Sequence, residues 1–194
     1  MNASPDGRLV VISGPSGVGK SSIVDVVVDR TDSCFSVSAT TKPPRQGEVD
    51  GVDYHFMTRE AFLDATDGGL MLEWAEYAGH LYGTLRSEVE PPLSRGVNVI
   101  LNIEIEGAKQ IRGAYPGAVL IFITPPSLQE LARRLAGRGD TVPDDVERRF
   151  SIAAHEIAAA ADVYDHIVEN DVLDDAITRV LDILDGEGAD AVTL

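Results

Sequence analysis

The chain is predicted to be an α/β protein with a parallel sheet flanked by helices. Three apolar runs carry that prediction: Leu9–Ser13 (LVVIS), Val97–Ile103 (VNVILNI) and Ala118–Thr124 (AVLIFIT) are short, rich in β-branched residues and apolar almost throughout. Strands covered on both faces of a parallel sheet read this way, and the helical patterns between and after them supply the crossovers such a sheet needs. At 194 residues, the chain suits one domain whose core needs neither metal nor disulfide. The single cysteine, Cys34, rules out both an internal disulfide and a cysteine-rich zinc site.

Each element follows in order. The run ending at Ser13 leads through glycines to SSIVDVVVDR from Ser21, where Ile23, Val26 and Val27 fall at helical spacing. From about Ser36 to Thr84 the chain turns rich in Thr, Gly, Pro and Tyr with short polar-alternating segments, which predicts a small strand-rich insertion. Phe56 and Trp74 within it are expected in the core. Leu128–Phe150 reads as helix, Gly/Pro-containing break, helix, the pattern of a flap. The acidic stretch Asp162–Asp190 keeps Val172, Ala176, Val180, Leu181 and Leu184 at helical spacing, so it is expected to be a solvated amphipathic helix.

Thirty-two acidic residues against 16 basic ones give a net charge of −16. That balance opposes non-specific attraction to nucleic acid or an anionic membrane, so neither is expected as a partner. No apolar stretch approaches the roughly 18 residues of a membrane span, and the first residues lack a basic patch followed by a long apolar run. A cytoplasmic location is expected. The sequence leaves monomer and homo-oligomer equally open.

The sharpest signal is Gly14-Pro15-Ser16-Gly17-Val18-Gly19-Lys20-Ser21, which fits G-x-x-x-x-G-K-[S/T] between a strand and a helix. Glycines let the backbone curl so that N–H groups point at phosphate oxygens, and the helix that follows adds its positive end. Lys20 would reach the β and γ phosphates, Ser21 would place its hydroxyl on Mg²⁺, and Ser22 completes the ATP-binding run. This P-loop does not name the second substrate.

Three further segments do. They are Ser36–Glu48 (SVSATTKPPRQGE) with Gly51–Phe56 (GVDYHF), Leu72–Tyr77 (LEWAEY) with Gly79–Thr84 (GHLYGT), and Gly137-Arg138-Gly139 with Arg149. In these segments, and in the P-loop, the chain resembles guanylate kinases, P-loop nucleoside monophosphate kinases that pass a phosphoryl group from ATP to GMP. The resemblance implies a P-loop NTPase core (about 8–35, 91–127 and 156–186), a GMP-binding subdomain (about 36–90) and a helical lid (about 128–155), all within one domain spanning 1–194. It implies that Arg45, Tyr54 and Tyr82 hold the GMP phosphate, joined by Lys42 where the family normally has Arg. It also implies that Ser38, Glu73 and Thr84 read the guanine with Glu104 nearby, and that Arg138 and Arg149 reach the transferring group from the lid. ATP and GMP, with dGMP as a further acceptor and Mg²⁺ accompanying ATP, are the ligands so implied.

Elementary chemistry supports those roles. Guanine offers N1–H and N2–H₂ as adjacent donors beside the O6 acceptor, so a carboxylate such as Glu73 accepts both while a hydroxyl from Thr84 or Ser38 donates to O6. Because the acceptor phosphate is already an anion, no general base is required, and catalysis reduces to alignment and charge neutralisation by Lys20 and the lid arginines. Of the adjacent Arg133 and Arg134, helical spacing favours Arg134 for a catalytic role.

Four positions depart from the family pattern: Lys42, and Asn102, Glu104 and Glu106 in Leu101–Gly107 (LNIEIEG). An ammonium at 42 cannot reproduce a planar bidentate grip on phosphate. Two other readings therefore stand beside a working GMP kinase: a paralogue acting on another or modified nucleoside monophosphate, and a guanylate-kinase-like binding module without catalysis.

Overall fold

A computed structural model of the chain describes residues 7–136 and 143–186, the side chains of 143–149 excepted. The elements, in order, are β1 (Leu9–Ser13), α1 (Lys20–Arg30), β2 (Ser33–Phe35), β3 (Ser38–Thr40), β4 (His55–Phe56), α2 (Arg59–Asp67), β5 (Met71–Tyr77), β6 (His80–Leu85) and α3 (Arg86–Leu93). Then come β7 (Asn98–Asn102), α4 (Ile105–Ala114), β8 (Val119–Thr124), α5 (Leu128–Ala136), α6 (Pro143–Ala159), a 3₁₀ turn Ala160–Asp162, β9 (His166–Glu169) and α7 (Leu173–Asp185).

A five-stranded sheet has the order β2-β7-β1-β8-β9, and a four-stranded sheet the order β4-β3-β6-β5. The predicted α/β class is found. The strands β1, β7 and β8 form where the three apolar runs lie, and Val10, Val11, Ile12, Val99, Ile100, Leu120, Ile121 and Ile123 are fully buried. The pairs β2–β7 and β8–β9 are parallel, and a sheet order this scrambled needs the intervening helices as crossovers. Among the described residues no helix is long and apolar enough to cross a membrane.

The chain divides into two compact units, one comprising Met1–Val10, Asp32–Leu101 and Glu106–Ala118, the other Val11–Thr31, Asn102–Ile105 and Val119–Leu194. In the first, the four-stranded sheet has one apolar face. Ala39 of β3, Leu81 of β6 and Met71 of β5 pack there with Phe62 and Ala65 of α2, joined by Met57 and Leu85. Helix α2 is set by Thr58, whose hydroxyl caps it by accepting the Ala61 N–H at 3.1 Å. The hairpin β5–β6 turns on two residues, Ala78 and Gly79, both at positive φ (51° and 83°), the twist a two-residue hairpin loop requires. In the second unit, α7 packs on α1 and β9 through Ala176, Ile177, Val180, Ile183 and Leu184.

Three expectations are corrected here. Helix α1 buries Val24 rather than Val26 beside Ile23 and Val27. The acidic stretch from Asp162 is not helical throughout, since His166–Glu169 forms β9 against β8 and Val172 stays 55% exposed; four residues are too few for periodicity to announce a strand inside a charged run. Trp74 is 37% exposed and Phe56 only half-buried, so neither is a core residue.

Phe62 makes an edge contact with Trp74 at a centroid distance of 6.5 Å, and Trp74 is the single tryptophan. Phe62→Ala is expected to lower stability by about 3–5 kcal/mol, read as a shift of the urea midpoint followed by tryptophan fluorescence, with Phe62→Leu losing far less. An unchanged midpoint for Phe62→Ala would contradict the placement of this core.

Candidate active site

In the first unit, three strands bring the base-reading candidates into one row. Ser38 of β3 lies opposite Thr84 of β6, and Thr84 lies opposite Glu73 of β5. Directly opposed residues share a sheet face, so Ser38, Thr84 and Glu73 stand side by side on the face turned away from α2. Thr40 and Tyr82, two residues along their strands and opposite each other, share that face. A register shift between Met71 and Glu73 makes this possible. Without it, residues two apart would point the same way; the bulge sends Met71 to the core and Glu73 to the polar face. Gly83 serves the same purpose from the other side, because a Cβ there would come within 2.7 Å of the Glu73 carbonyl oxygen and 3.1 Å of the Phe62 ring.

Glu73 and Thr84 are buried, 4% and 1% exposed. The Thr84 hydroxyl donates to Glu73 Oε1 at 2.7 Å. Burial pushes the Glu73 carboxyl up to about 7, with the hydrogen bonds from Thr84 holding it back. The Thr84 hydroxyl, expected from the sequence as a donor to O6, here donates to Glu73 and orients its carboxylate.

A loop beyond β3 carries the phosphate candidates. Lys42 Nζ meets Glu48 Oε2 at 2.5 Å, and the same oxygen accepts the Arg45 backbone N–H at 2.7 Å. That backbone bond first, and Lys42 second, hold the Glu48 carboxyl below its ordinary range. Lys42 Nζ lies 4.6 Å from the Tyr54 ring centroid and 5.1 Å from that of Phe56. Tyr54 meets Tyr82 edge-on at 6.2 Å, and burial raises its hydroxyl pKa. Arg45 is exposed. Contacts thus run from the Arg45 backbone through Glu48 to Lys42, and on through Tyr54 to Tyr82.

In the second unit, β1 runs into the P-loop and α1 begins at Lys20. Gly14 has φ 146° and lies so close to β8 that a Cβ would sit 2.3 Å from the Ile123 carbonyl oxygen; Gly19, at φ 98°, leaves room for the Asn170 amide, 2.6 Å from where a Cβ would be. Lys20 Nζ donates to the Gly14 carbonyl, folding the ammonium back over the loop. Asn170 braces that loop: its Nδ2 donates to Val18 O at 2.7 Å, its N–H to Thr124 O at 2.8 Å, and its own carbonyl accepts Arg134 Nη1 at 3.0 Å. Arg134 Nε in turn donates to Glu130 Oε1 at 2.8 Å, a carboxyl held down at about 2 by hydrogen bonds from Arg133 and then Arg134. Glu104 and Glu156 both sense Lys20. Desolvation raises each carboxyl, Glu156 to about 7, where repulsion from Glu104 adds to it and Lys20 opposes it.

Comparison with known proteins fixes the frame for these two groups of residues. The family model described as guanylate kinase matches residues 6–187. A protein named guanylate kinase from Thermus thermophilus is 51% identical over 183 residues, 93% of this chain and 82% of that one. One from Bacillus cereus is 46% identical over 183 residues, 93% of this chain and 89% of its own. The crystal structure of guanylate kinase from Anaplasma phagocytophilum superposes with a TM-score of 0.78 at 32% identity, covering 97% of this chain and 89% of that one. The chain belongs to the guanylate kinase family.

Within that family frame, the structure gathers Ser38, Lys42, Arg45, Tyr54, Glu73, Tyr82 and Thr84 in the first unit, and Gly14–Ser22, Glu104 and Arg134 in the second. Arg138 and the Arg149 side chain lie outside the described residues. Four contributors escaped the sequence reading. Glu48 stood inside a quoted motif, but nothing in the pattern says that its carboxylate folds back on Lys42. Asn170 follows β9, itself unrecognised. Glu156 sits on α6 like any solvated helix acid. Gln110 of α4 accepts the Trp74 N–H at 3.2 Å and donates to the Trp74 carbonyl at 2.8 Å, capping the outer edge of β5 beside Glu73.

Two outcomes are expected. Raising the Glu73 pKa from 4.5 to about 7 means the native state binds more protons than the unfolded one between those values, so this group lowers stability as pH rises from about 4.5 to about 7, by up to about 3 kcal/mol. Glu73→Gln should flatten that part of the wild-type stability profile in denaturant titrations at pH 5 and 8, and an equal drop in both proteins would refute it. Asn170→Ala, which leaves the buried Val18 carbonyl unpaired, should cost about 1–3 kcal/mol and raise KM for ATP in initial-rate assays while KM for GMP stays put; the reverse pattern would remove Asn170 from the P-loop brace.

Proposed function

We propose that Glu73 accepts the N1–H and N2–H₂ donors of guanine while Ser38 donates to O6, that Arg45, Tyr54 and Tyr82 take the GMP phosphate, and that Gly14–Ser22 hold ATP. The chain is an ATP:GMP phosphotransferase, a nucleoside monophosphate kinase. The observation that carries the residue assignment is the row Ser38–Thr84–Glu73, whose buried carboxylate is the complement of a base edge with two adjacent donors. Adenine presents a donor and an acceptor in the reverse order and leaves that carboxylate unsatisfied, which is how a pocket of paired hydrogen bonds discriminates. dGMP, with the same base, is read as a second acceptor.

Charge drives the chemistry. The GMP phosphate oxygen attacks without a general base, so the protein aligns the two nucleotides and balances charge on the transferring group. Lys20 supplies a point charge from the P-loop, and Arg134, braced by Glu130, borders that loop through Asn170; Arg138 and Arg149 are the lid arginines of this reading. Residues 128–155 act as the lid of a single catalytic domain, with 36–90 as its GMP-binding part.

Mg²⁺ belongs with ATP. The exposed Ser21 hydroxyl at the start of α1 and the Glu104 and Glu156 carboxylates near Lys20 are hard oxygen donors, and the described residues hold no cluster of three metal-ligating side chains. That set fits a cation carried mainly by phosphates and water, with Ser21 as its protein ligand and Glu104 assigned to this phosphoryl side rather than to guanine. When bound, the ion neutralises charge across the donor phosphates. A cytoplasmic enzyme working on the free nucleotide pool is the corresponding physiological reading.

An ATP-coupled assay with GMP, dGMP, AMP, UMP and CMP tests this reading. Turnover is expected with the two guanine nucleotides, and turnover confined to another base would overturn it. In the same assay Glu73→Gln should reduce the preference for GMP over AMP by roughly 1–3 kcal/mol; an unaltered preference would remove Glu73 from base recognition.

A further inference from the structure

The phosphate-binding set above leaves Lys42 aside, because its ammonium is already engaged. We propose that Lys42 is a positioning residue that acts through Glu48 to fix the loop presenting Arg45, and is not itself a ligand of the GMP phosphate. This rests on the reading of Arg45 as a phosphate ligand.

One atom links the three residues. Glu48 Oε2 receives both the Lys42 ammonium at 2.5 Å and the Arg45 backbone N–H at 2.7 Å, and the Glu48 N–H returns to the Arg45 carbonyl at 3.1 Å. The turn from Arg45 to Glu48 is thereby closed on itself, with Gly47 at φ 93° supplying a backbone conformation that side chains resist. The ammonium is held on its other sides as well. The Lys42 side chain is 9% exposed, and its ammonium faces the Tyr54 and Phe56 rings at 4.6 and 5.1 Å, within cation–π range.

The charge count gives Lys42 the same role. Lys42 and Glu48 cancel, so the net cation the loop offers to an anion is the exposed Arg45 guanidinium. For Lys42 to serve the phosphate as well, the incoming anion would have to settle beside the Glu48 carboxylate that shares the ammonium, an unfavourable like-charge contact. A guanidinium spreads five donors along different edges, whereas the Lys42 ammonium is a compact point charge with three, already facing Glu48 and an aromatic floor. Lys42 thereby closes the loop that carries Arg45.

A double-mutant cycle on full-length protein, with kcat and KM for GMP, tests the inference through Lys42→Met, whose methionine suits the aromatic box, and Glu48→Gln. Each single change is expected to raise KM for GMP by roughly tenfold with kcat within about twofold, and the double mutant is expected to be no worse than the poorer single. Losses that multiply would show Lys42 acting on the phosphate by itself, and a lowered KM in Glu48→Gln would show the carboxylate competing with phosphate; either overturns the proposal. Guanosine, tested as a competitive inhibitor, should bind all variants equally, since the base row is untouched; a matching loss would mean general collapse and also overturns it. Amide hydrogen exchange without substrate separates this inference from the functional reading. Faster exchange at Arg45 is expected in both single variants, and unchanged exchange would defeat the clamp alone, whereas absence of GMP turnover in the wild type would defeat only the phosphate-site reading.

Discussion

A buried carboxylate held by a single residue, Glu73 by the Thr84 hydroxyl at 2.7 Å and the Thr84 backbone, is the constraint around which the first unit is built. A carboxyl 4% exposed costs free energy that a neutral hydrogen bond only partly offsets, so the surrounding structure must compel the placement. It does so from several sides. The bulge in β5 aims the side chain, Gly83 lets α2 approach the sheet from behind, Phe62 and its neighbours anchor that approach, and the Gln110 amide closes the strand edge at the very next residue. On the proposed reading, a ligand with two adjacent donors satisfies that carboxylate, and the cost of its burial becomes selectivity.

The second unit solves a different problem. A P-loop must keep its amides pointed inward while glycines allow it many conformations. Here the loop is braced by close contact of Gly14 with the β8 backbone and by Asn170. The arginine borne on α5 shares that brace through the Asn170 carbonyl, so its guanidinium is pre-ordered with the loop rather than free in solvent. Two carboxyls near Lys20, Glu104 and Glu156, have their pKa raised by desolvation.

Much of this was legible in the residues. Buried strands β1, β7 and β8 announce themselves because they are apolar on both faces, and the P-loop because glycines, lysine and serine recur at a spacing that phosphate chemistry dictates. What escaped has a common physical cause: it depends on contacts distant in sequence. The short strands β2 and β9 carry too few residues for a period, so Asn170 at the end of one could not be placed. Thr84 and Glu73 could be assigned to one base but not to each other, since only the register shift in β5 puts them face to face. Trp74 looks like core by composition and alternation does turn it toward Phe62, yet its strand is the sheet's edge, which leaves it 37% exposed. Lys42 reads as a phosphate ligand by its place in a motif, and its engagement with Glu48 is visible only when the loop is folded.

The central claim is that guanine is received by the ionised form of a carboxyl poised near neutrality. Calorimetric titration with guanosine, which brings no phosphate to confuse the proton count, tests it most directly when run at pH 6.5 in two buffers of different ionisation enthalpy. With Glu73 at about 7, the account predicts release of roughly three-quarters of a proton per guanosine bound, and none from Glu73→Gln. Heats that do not depend on the buffer in the wild-type protein would contradict it.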